Sequence, residues 1–374
     1  VIKLSWPEVS ARRLARQGLD SPAGGTPADM VSAMCGAHAQ VMSAAELSIG
    51  SRLDGVTRTG VREALWDERS LVKTHGPRGT VHVLAARDLP MWVGAMSRLP
   101  VQRNPFPEDV RLTPAQADEV VEAIRAVLDG DALTIEELGD AVVGATGSWA
   151  GDLVMPAFQT MWPRWRQAMA IAAHRGAFVF GPARGRKVTY TRPPDGFQPV
   201  DGRTELVRRY LTAYGPATPG QFAQWLGAPK TWAARLFESA DLEEVLFEGE
   251  PAWVVAGDTG VPGDPPRGVR LLPYFDAYVV AGRPRELLYP GAAAARALAG
   301  GQAGNFPVLL VDGTVAGVWH QRRSGRKIRV TVEPLRTLTS ARLRELDEQV
   351  ARVGEILEGE PELTIGPVTV GAHA

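Results

Sequence analysis

A chain of 374 residues is too long for one small core and predicts two to four domains. Its hydrophobic content of 45% and charged content of 22% are those of a soluble globular protein; no apolar run nears the ~18 residues of a membrane span, and the opening residues lack the apolar core and cleavage site of a signal peptide. A net charge of -1 excludes a protein that coats nucleic acid nonspecifically, though not one with a local basic surface. The single cysteine, Cys35, excludes an intramolecular disulfide and fits a reducing, cytoplasmic setting. Its small apolar neighbours make it a packing thiol rather than a nucleophile.

In chain order, residues 10–19 have the spacing of a basic amphipathic helix. A short helical pattern over 29–37, with Gly36 as its breaker, leads into a connector. Ser43-Ala44-Ala45-Glu46 then reads as a capping box before a helix to about Leu53. The connector holds His38 and Gln40. Positions two apart in extended chain point the same way, so an imidazole and a carboxamide would face one space. The plainer alternative is a partly buried loop histidine beside a polar residue that leads into a helix. A helical pattern at 60–69 follows, then alternating segments at 71–75 and 80–84 around Gly76-Pro77-Arg78-Gly79, a β-hairpin.

The pattern recurs. Thr113-Pro114 opens a helix to about Leu128, and Thr134 caps a second through Val143. Residues 156–173 carry a third, with Trp162 and Trp165 as packing core. Strands at 177–180 and 187–191 flank an arginine-bearing turn. In the third copy, helices at 205–213, 219–227 and 229–239 precede strands at 244–247 and 252–255; Thr218-Pro219 starts the second of these helices and Gly227 ends it. Three helices and a hairpin, three times over, predict tandem winged-helix units, which serve DNA binding or protein contacts. Glu248 and Glu250 in the third hairpin turn would repel phosphate, so that unit is expected to be structural.

A Gly/Pro-rich linker at 258–267 precedes a change of character. Residues 271–280 read as strand, bend and strand, and 307–311 with 314–319 as a hairpin around Asp312-Gly313. A basic turn then precedes a strand at 328–332, and 340–357 is a closing amphipathic helix. The expected fold is α+β, with winged-helix units at 1–103, 104–197 and 198–262 and an antiparallel β-rich portion at 263–374.

Four stretches together resemble one family: Pro77-Arg78-Gly79-Thr80-Val81-His82, residues 210–219 (Tyr210 to Pro219), Leu271-Leu272-Pro273-Tyr274-Phe275-Asp276, and residues 311–319 (Val311 to Trp319). They span nearly the whole chain in the order found in the AlkZ/YcaQ-type bacterial DNA glycosylases. The resemblance implies three winged-helix units around a concave DNA channel, with a catalytic Gln-x-Gln signature in the N-terminal unit. The matching positions here are His38 and Gln40. The first departs from the Gln-x-Gln form; the His form is associated with AlkZ-like subgroups that confer resistance to genotoxic natural products. The implied substrate is double-stranded DNA containing alkylated purines, handled by a monomer without cofactor, metal or membrane.

The chemistry suits those two side chains. Alkylation at N7 or N3 makes a purine cationic, so it leaves neutral and needs no strong general acid. What remains is to stabilise an oxocarbenium-like sugar and hold a water in line, as in other glycoside hydrolysis. A histidine of ordinary pKa can hold or deprotonate that water near neutral pH, and Gln40 can fix its orientation. No lysine near the motif offers a Schiff base. Arg78, Arg322, Arg323, Arg326 and Lys327 are candidates for DNA contacts, the last four on a tip narrow enough for a minor groove. Asp276, in a bend, either lines the channel or caps a turn. His75, His82, His174 and His320 are too scattered for metal spacing. The competing reading is a non-catalytic winged-helix regulator or lesion sensor, which would call for dimer symmetry and a basic recognition helix; neither is visible.

Overall fold

Threonine caps set the starts of several helices. Thr26, Thr113, Thr134 and Thr218 each accept the backbone N–H three residues on, and Asp29, Gln116, Glu137 and Gln221 reach back to the cap, satisfying donors a helix cannot pair internally. The helices so begun are Pro27–Ala33, Pro114–Val127, Ile135–Thr146 and Pro219–Leu226. Gly227, at φ +80, ends the last in the left-handed conformation that glycine adopts without strain. These elements come from a computed structural model that describes residues 2–100, 106–157 and 160–372. The boundary expected at 103/104 lies outside the described residues.

One topology is used three times. In the first sheet the short strand Ala37–His38 pairs with Val81–Ala85, which pairs with Leu71–His75. In the second, Leu133–Thr134 pairs with Lys187–Thr191, which pairs with Val179–Arg184. In the third, Ala217 bridges to Trp253 in the strand Glu250–Val255, which pairs with Leu242–Phe247. Each short strand lies between two helices and docks on the second strand of its hairpin. The third sheet also takes Lys3–Leu4 in parallel on its far edge, so the N-terminus belongs structurally with the third hairpin. Glu248 in that turn accepts from the backbone of Trp6, a structural use of an acidic tip.

The C-terminal portion is a five-stranded sheet in the order Val269–Leu272, Val308–Val311, Thr314–Ser324, Lys327–Pro334, Glu360–Ile365. Asp312 and Gly313, both at positive φ, make the tight turn that matches strand twist. The helix Ser340–Leu357 crosses over so that Glu360–Ile365 runs parallel to Lys327–Pro334, a strand the sequence pattern did not reveal. One face of the sheet packs on that helix; the other packs on the helix Trp6–Arg16 and on residues 278–297.

Four expectations are corrected. Residues 156–173 are not one helix: Leu153–Pro156 and Met161–Pro163 form a two-stranded ribbon, and only Met169–His174 is α-helical, because Pro156 and Pro163 interrupt the pattern. Trp165 is core at 1% exposure, whereas Trp162 is exposed beneath Arg166, 4.0 Å from its ring centre. After Val269–Leu272 the chain turns into a short helix, Ala277–Ala281, rather than a second strand. Ser43 and Glu46 form no capping box: the helix Met42–Gly50 starts from Val41, and Glu46 is fully buried against Arg62 at 2.6 Å and Arg58 at 3.5 Å. The basic helix near the N-terminus exists, but Arg12 and Arg13 are buried and donate to the carbonyls of Asp258, Gly260, Arg283 and Pro216.

The helix Met42–Gly50 is enclosed by other elements. Every residue from Ala44 to Gly50 is buried. Glu46 ties it to the helix Arg58–Trp66; Leu47 joins the apolar layer under Ser340–Leu357, and Gly50 approaches Ile356 so closely that an added Cβ would lie 2.6 Å from it.

Candidate active site

The backbone immediately before that helix presents the His38–Gln40 pair. Ala37 and Ala39 face inward as members of an apolar cluster, at 1% and 0% exposure, and the Ala39 N–H donates to Val81 O at 2.8 Å. With the alanines turned in, alternation turns His38 and Gln40 the other way. His38 is therefore a strand residue, buried at 8% exposure, and Gln40 is exposed. The pair is graded, with a ring held in the protein and an amide open to solvent.

Two rings flank His38. His82, directly opposite in the sheet register, lies edge-on with ring centres 5.1 Å apart. Beyond His82, Thr74 is its partner on the third strand. From the C-terminal portion, Phe275 stacks on the imidazole at 4.3 Å, with planes 29° apart. The sequence offers no sign that Phe275 meets His38.

Asp276, next to Phe275, does not line a channel. It is buried at 1% exposure, with both carboxylate oxygens engaged. Arg52 Nη2 donates to Oδ1 at 2.7 Å and Nη1 to Oδ2 at 2.8 Å; Ser48 Oγ donates to Oδ2 at 2.7 Å, and the Tyr278 N–H caps on Oδ1 at 3.0 Å. Asp276 thus caps the helix Ala277–Ala281, the second of the two roles its sequence setting allowed, and also pairs with a fully buried arginine. Ser48 and Arg52 are one helical turn apart at the end of Met42–Gly50, so they share a face. A polar pair at that spacing in an otherwise apolar run was the available signal for this network.

Four of the histidines collect around the first hairpin, although the sequence scatters them. His82 Nδ1 donates to Thr80 O at 2.9 Å, His75 Nδ1 to Gly79 O at 3.1 Å, and His174 Nε2 to Gly76 O at 3.4 Å. A carbonyl only accepts, so each of these nitrogens carries its proton. Burial, reinforced by neighbouring His38, holds His82 well below its ordinary pKa; burial also lowers His75, and burial with His75 nearby brings His174 down to about 4. Among the described residues no group of three or more His, Cys, Asp or Glu is arranged to hold a metal ion. Cys35 is buried, and burial pushes its thiol up to about 12, so it is no nucleophile at neutral pH.

The basic candidates divide. Arg78 sits at the first hairpin turn at φ +60, exposed, but one of its nitrogens donates to Trp225 O at the end of Pro219–Leu226. Arg323 donates to Leu357 O at 2.6 Å and Glu358 O at 3.3 Å, closing the C-terminus of the last helix. Arg326 lies 3.2 Å from Glu360. Arg322 and Lys327 are exposed and form no ion pair among the described residues.

The sequence model of one family, described as DNA glycosylase AlkZ-like, matches residues 31–356. The chain belongs to the AlkZ-like DNA glycosylase family. A relative from Streptomyces sahachiroi, described as an interstrand DNA cross-link repair glycosylase, is 31% identical over 336 residues, covering 85% of this chain and 88% of its own. The solved structure of the Streptomyces sahachiroi DNA glycosylase AlkZ matches with a TM-score of 0.83 at 28% identity, over 98% of this chain and 100% of that one. The mixed α+β architecture is thus that of AlkZ, and the protein is a DNA glycosylase acting in DNA repair, which sets aside the non-catalytic regulator. Among the described residues no helix is long and apolar enough to cross a membrane.

Two outcomes follow from this geometry. Asp276→Ala leaves Arg52 buried without its counter-charge and is expected to cost about 3–5 kcal/mol in denaturant unfolding; a loss near zero would show that the pair secures nothing. The buried histidines stay neutral when folded but bind protons near pH ~6.5 when unfolded, so the stability they contribute is present above that pH and lost as pH falls toward 4. The unfolding free energy should fall over that window by up to about 1.4 kcal/mol per pH unit for each such histidine, and His174→Gln should flatten the slope.

Proposed function

We propose that this glycosylase hydrolyses the N-glycosidic bond of alkylated purines in double-stranded DNA, N7-alkylguanine above all, including bulky genotoxin adducts or crosslinks. The observation that carries the reading is the spacing of His38 and Gln40 on either side of the buried Ala39, with the imidazole flanked by Phe275 and His82 and Gln40 exposed. His38 holds or deprotonates the attacking water on the face of the sugar opposite the departing base. Gln40 accepts one water proton and donates elsewhere, which orients the lone pair toward the anomeric carbon. Because the alkylated base leaves neutral, general-base help of typically ~10²–10⁴-fold is adequate.

The recurring three-helix and hairpin topology supports three winged-helix units, at 1–103, 104–197 and 198–262, framing a concave channel, with residues 263–374 as the closing β-rich portion. The strand Lys3–Leu4 is lent to the third unit. Arg322 and Lys327 meet phosphate or the minor groove, and Arg78 is a further candidate for a DNA contact. Arg323 and Arg326 chiefly hold the tip in shape. The relative's description as a cross-link repair enzyme favours a site that tolerates large adducts. The lesion then stays largely within the duplex. The enzyme works as a cytoplasmic monomer, in repair or in protecting a producer from its own genotoxin.

Duplexes carrying one N7-methylguanine or a bulky N7 adduct are incubated with the protein, and abasic sites are then cleaved with alkali. Strand breaks are expected, with His38→Ala slowing release by about 10²–10⁴-fold and Gln40→Ala by less. Wild-type rates in both variants would remove the pair from the chemistry. In binding titrations, Arg322→Ala with Lys327→Ala should lower the slope of log affinity against log salt by about 0.9 for each lost phosphate contact; an unchanged slope would take the tip out of the DNA site.

A further inference from the structure

Outside the motif itself, the residue that bears most directly on the imidazole comes from the far end of the chain. We infer that Phe275 is a positioning residue for His38, so that the active site is complete only when the C-terminal portion is docked on the N-terminal unit. This rests on the reading of His38 as the water-activating group.

The torsion that turns an imidazole about its Cβ–Cγ bond is broad and roughly two-fold, so an unsupported histidine on a two-residue strand would present its nitrogens in several directions. Here Phe275 covers one face at 4.3 Å and His82 meets the ring edge-on at 5.1 Å and 68°. The residue as a whole is buried, at 8% exposure. His82 is suited to stand there: its Nδ1 proton is committed to Thr80 O, so it is a neutral neighbour with a fixed tautomer.

Phe275 is not simply core. It is half-buried and belongs to none of the apolar clusters among the described residues. Its backbone stands at φ +55, a conformation that costs a bulky residue about 1–3 kcal/mol and persists only where the surroundings over-determine it. They do so here. The Phe275 N–H donates to Gly304 O at 2.9 Å, and Gly304 approaches so closely that a Cβ would lie 3.0 Å from Phe275 Cα. Asp276, the next residue, is locked to Arg52 and Ser48. The ion pair therefore acts on the imidazole through Phe275, and a strained backbone is spent on aiming one ring at another.

The test measures single-turnover base release from a duplex oligonucleotide with one N7-methylguanine, with enzyme in excess, well below the unfolding midpoint. Phe275→Leu keeps apolar bulk but removes the flat face; release should slow by about 10²-fold, the scale of a roughly 1 Å misplacement, with DNA affinity unchanged. Phe275→Tyr keeps the ring and should restore most of the rate. If Phe275→Leu folds poorly, Phe275→Met, a flexible filler, carries the same comparison. Wild-type release per folded molecule in the ring-less variant, with only a lower melting temperature, would overturn the inference. His38→Ala is run alongside: if it is inactive while Phe275→Leu is fully active, only the role of Phe275 falls. If His38→Ala releases base at the wild-type rate, the reading of His38 falls and this inference with it.

Discussion

The two-pronged contact between Arg52 and Asp276 is the constraint from which the rest of this molecule can be understood. Both side chains are wholly removed from water, and neither could remain so alone, because an unpaired buried charge costs several kcal/mol. Such a pair adds little over a well-packed apolar substitute. What it secures here is geometry: the planar fork of a guanidinium meets a carboxylate in one orientation, and that orientation fixes the bend before Ala277–Ala281 against the end of the helix that follows the His-Ala-Gln motif. The same helix is held by Glu46 on one side and by the closing helix on another. Three separate contacts thus converge on Met42–Gly50 and the turn that carries Arg52.

Arginine performs much of this work elsewhere too. Arg12, Arg13 and Arg16 in the first helix reach carbonyls of Asp258, Gly260, Arg283, Pro216 and Thr212. Arg270 binds the carbonyls of Leu19 and Asp20, and Arg352 those of Gly50 and Leu53. A guanidinium has five donors in a rigid fork and keeps its charge when buried, whereas a lysine offers a single flexible ammonium that burial neutralises. The arginine-rich, lysine-poor composition is therefore put to use in joining segments, and it overstates the cation density available to DNA. Of the five basic candidates only Arg322 and Lys327 carry no structural obligation among the described residues. A DNA enzyme with a net charge of -1 is reasonable on these terms, because its positive potential is local.

The first hairpin shows how the recurring units differ in use. Its turn is wedged between neighbours: Arg78 binds Trp225 O, His174 faces Gly76 O, and His75 stacks on Phe180 with ring centres 5.8 Å apart. The hairpin of a free-standing unit would have its tip in solvent. Here that tip is a joint, and it keeps the strand partnered with His38 from moving independently of its surroundings. The third hairpin is likewise occupied, by the N-terminal strand.

Much of this chain is legible in its amino-acid sequence. The caps at Thr113, Thr134 and Thr218, the Gly227 stop, the Asp312-Gly313 turn and the closing helix rest on interactions that act within a few residues, so the sequence displays them. The family is legible too, from four short stretches. Tertiary structure alone decided that Glu46 belongs to a buried ion pair rather than a cap, that Asp276 is a buried strut, and that Phe275 lies on His38. The physical reason is distance along the chain: Arg52 and Asp276 are 224 positions apart, and which charges lose their water, and which ring covers which, is settled only when remote segments pack.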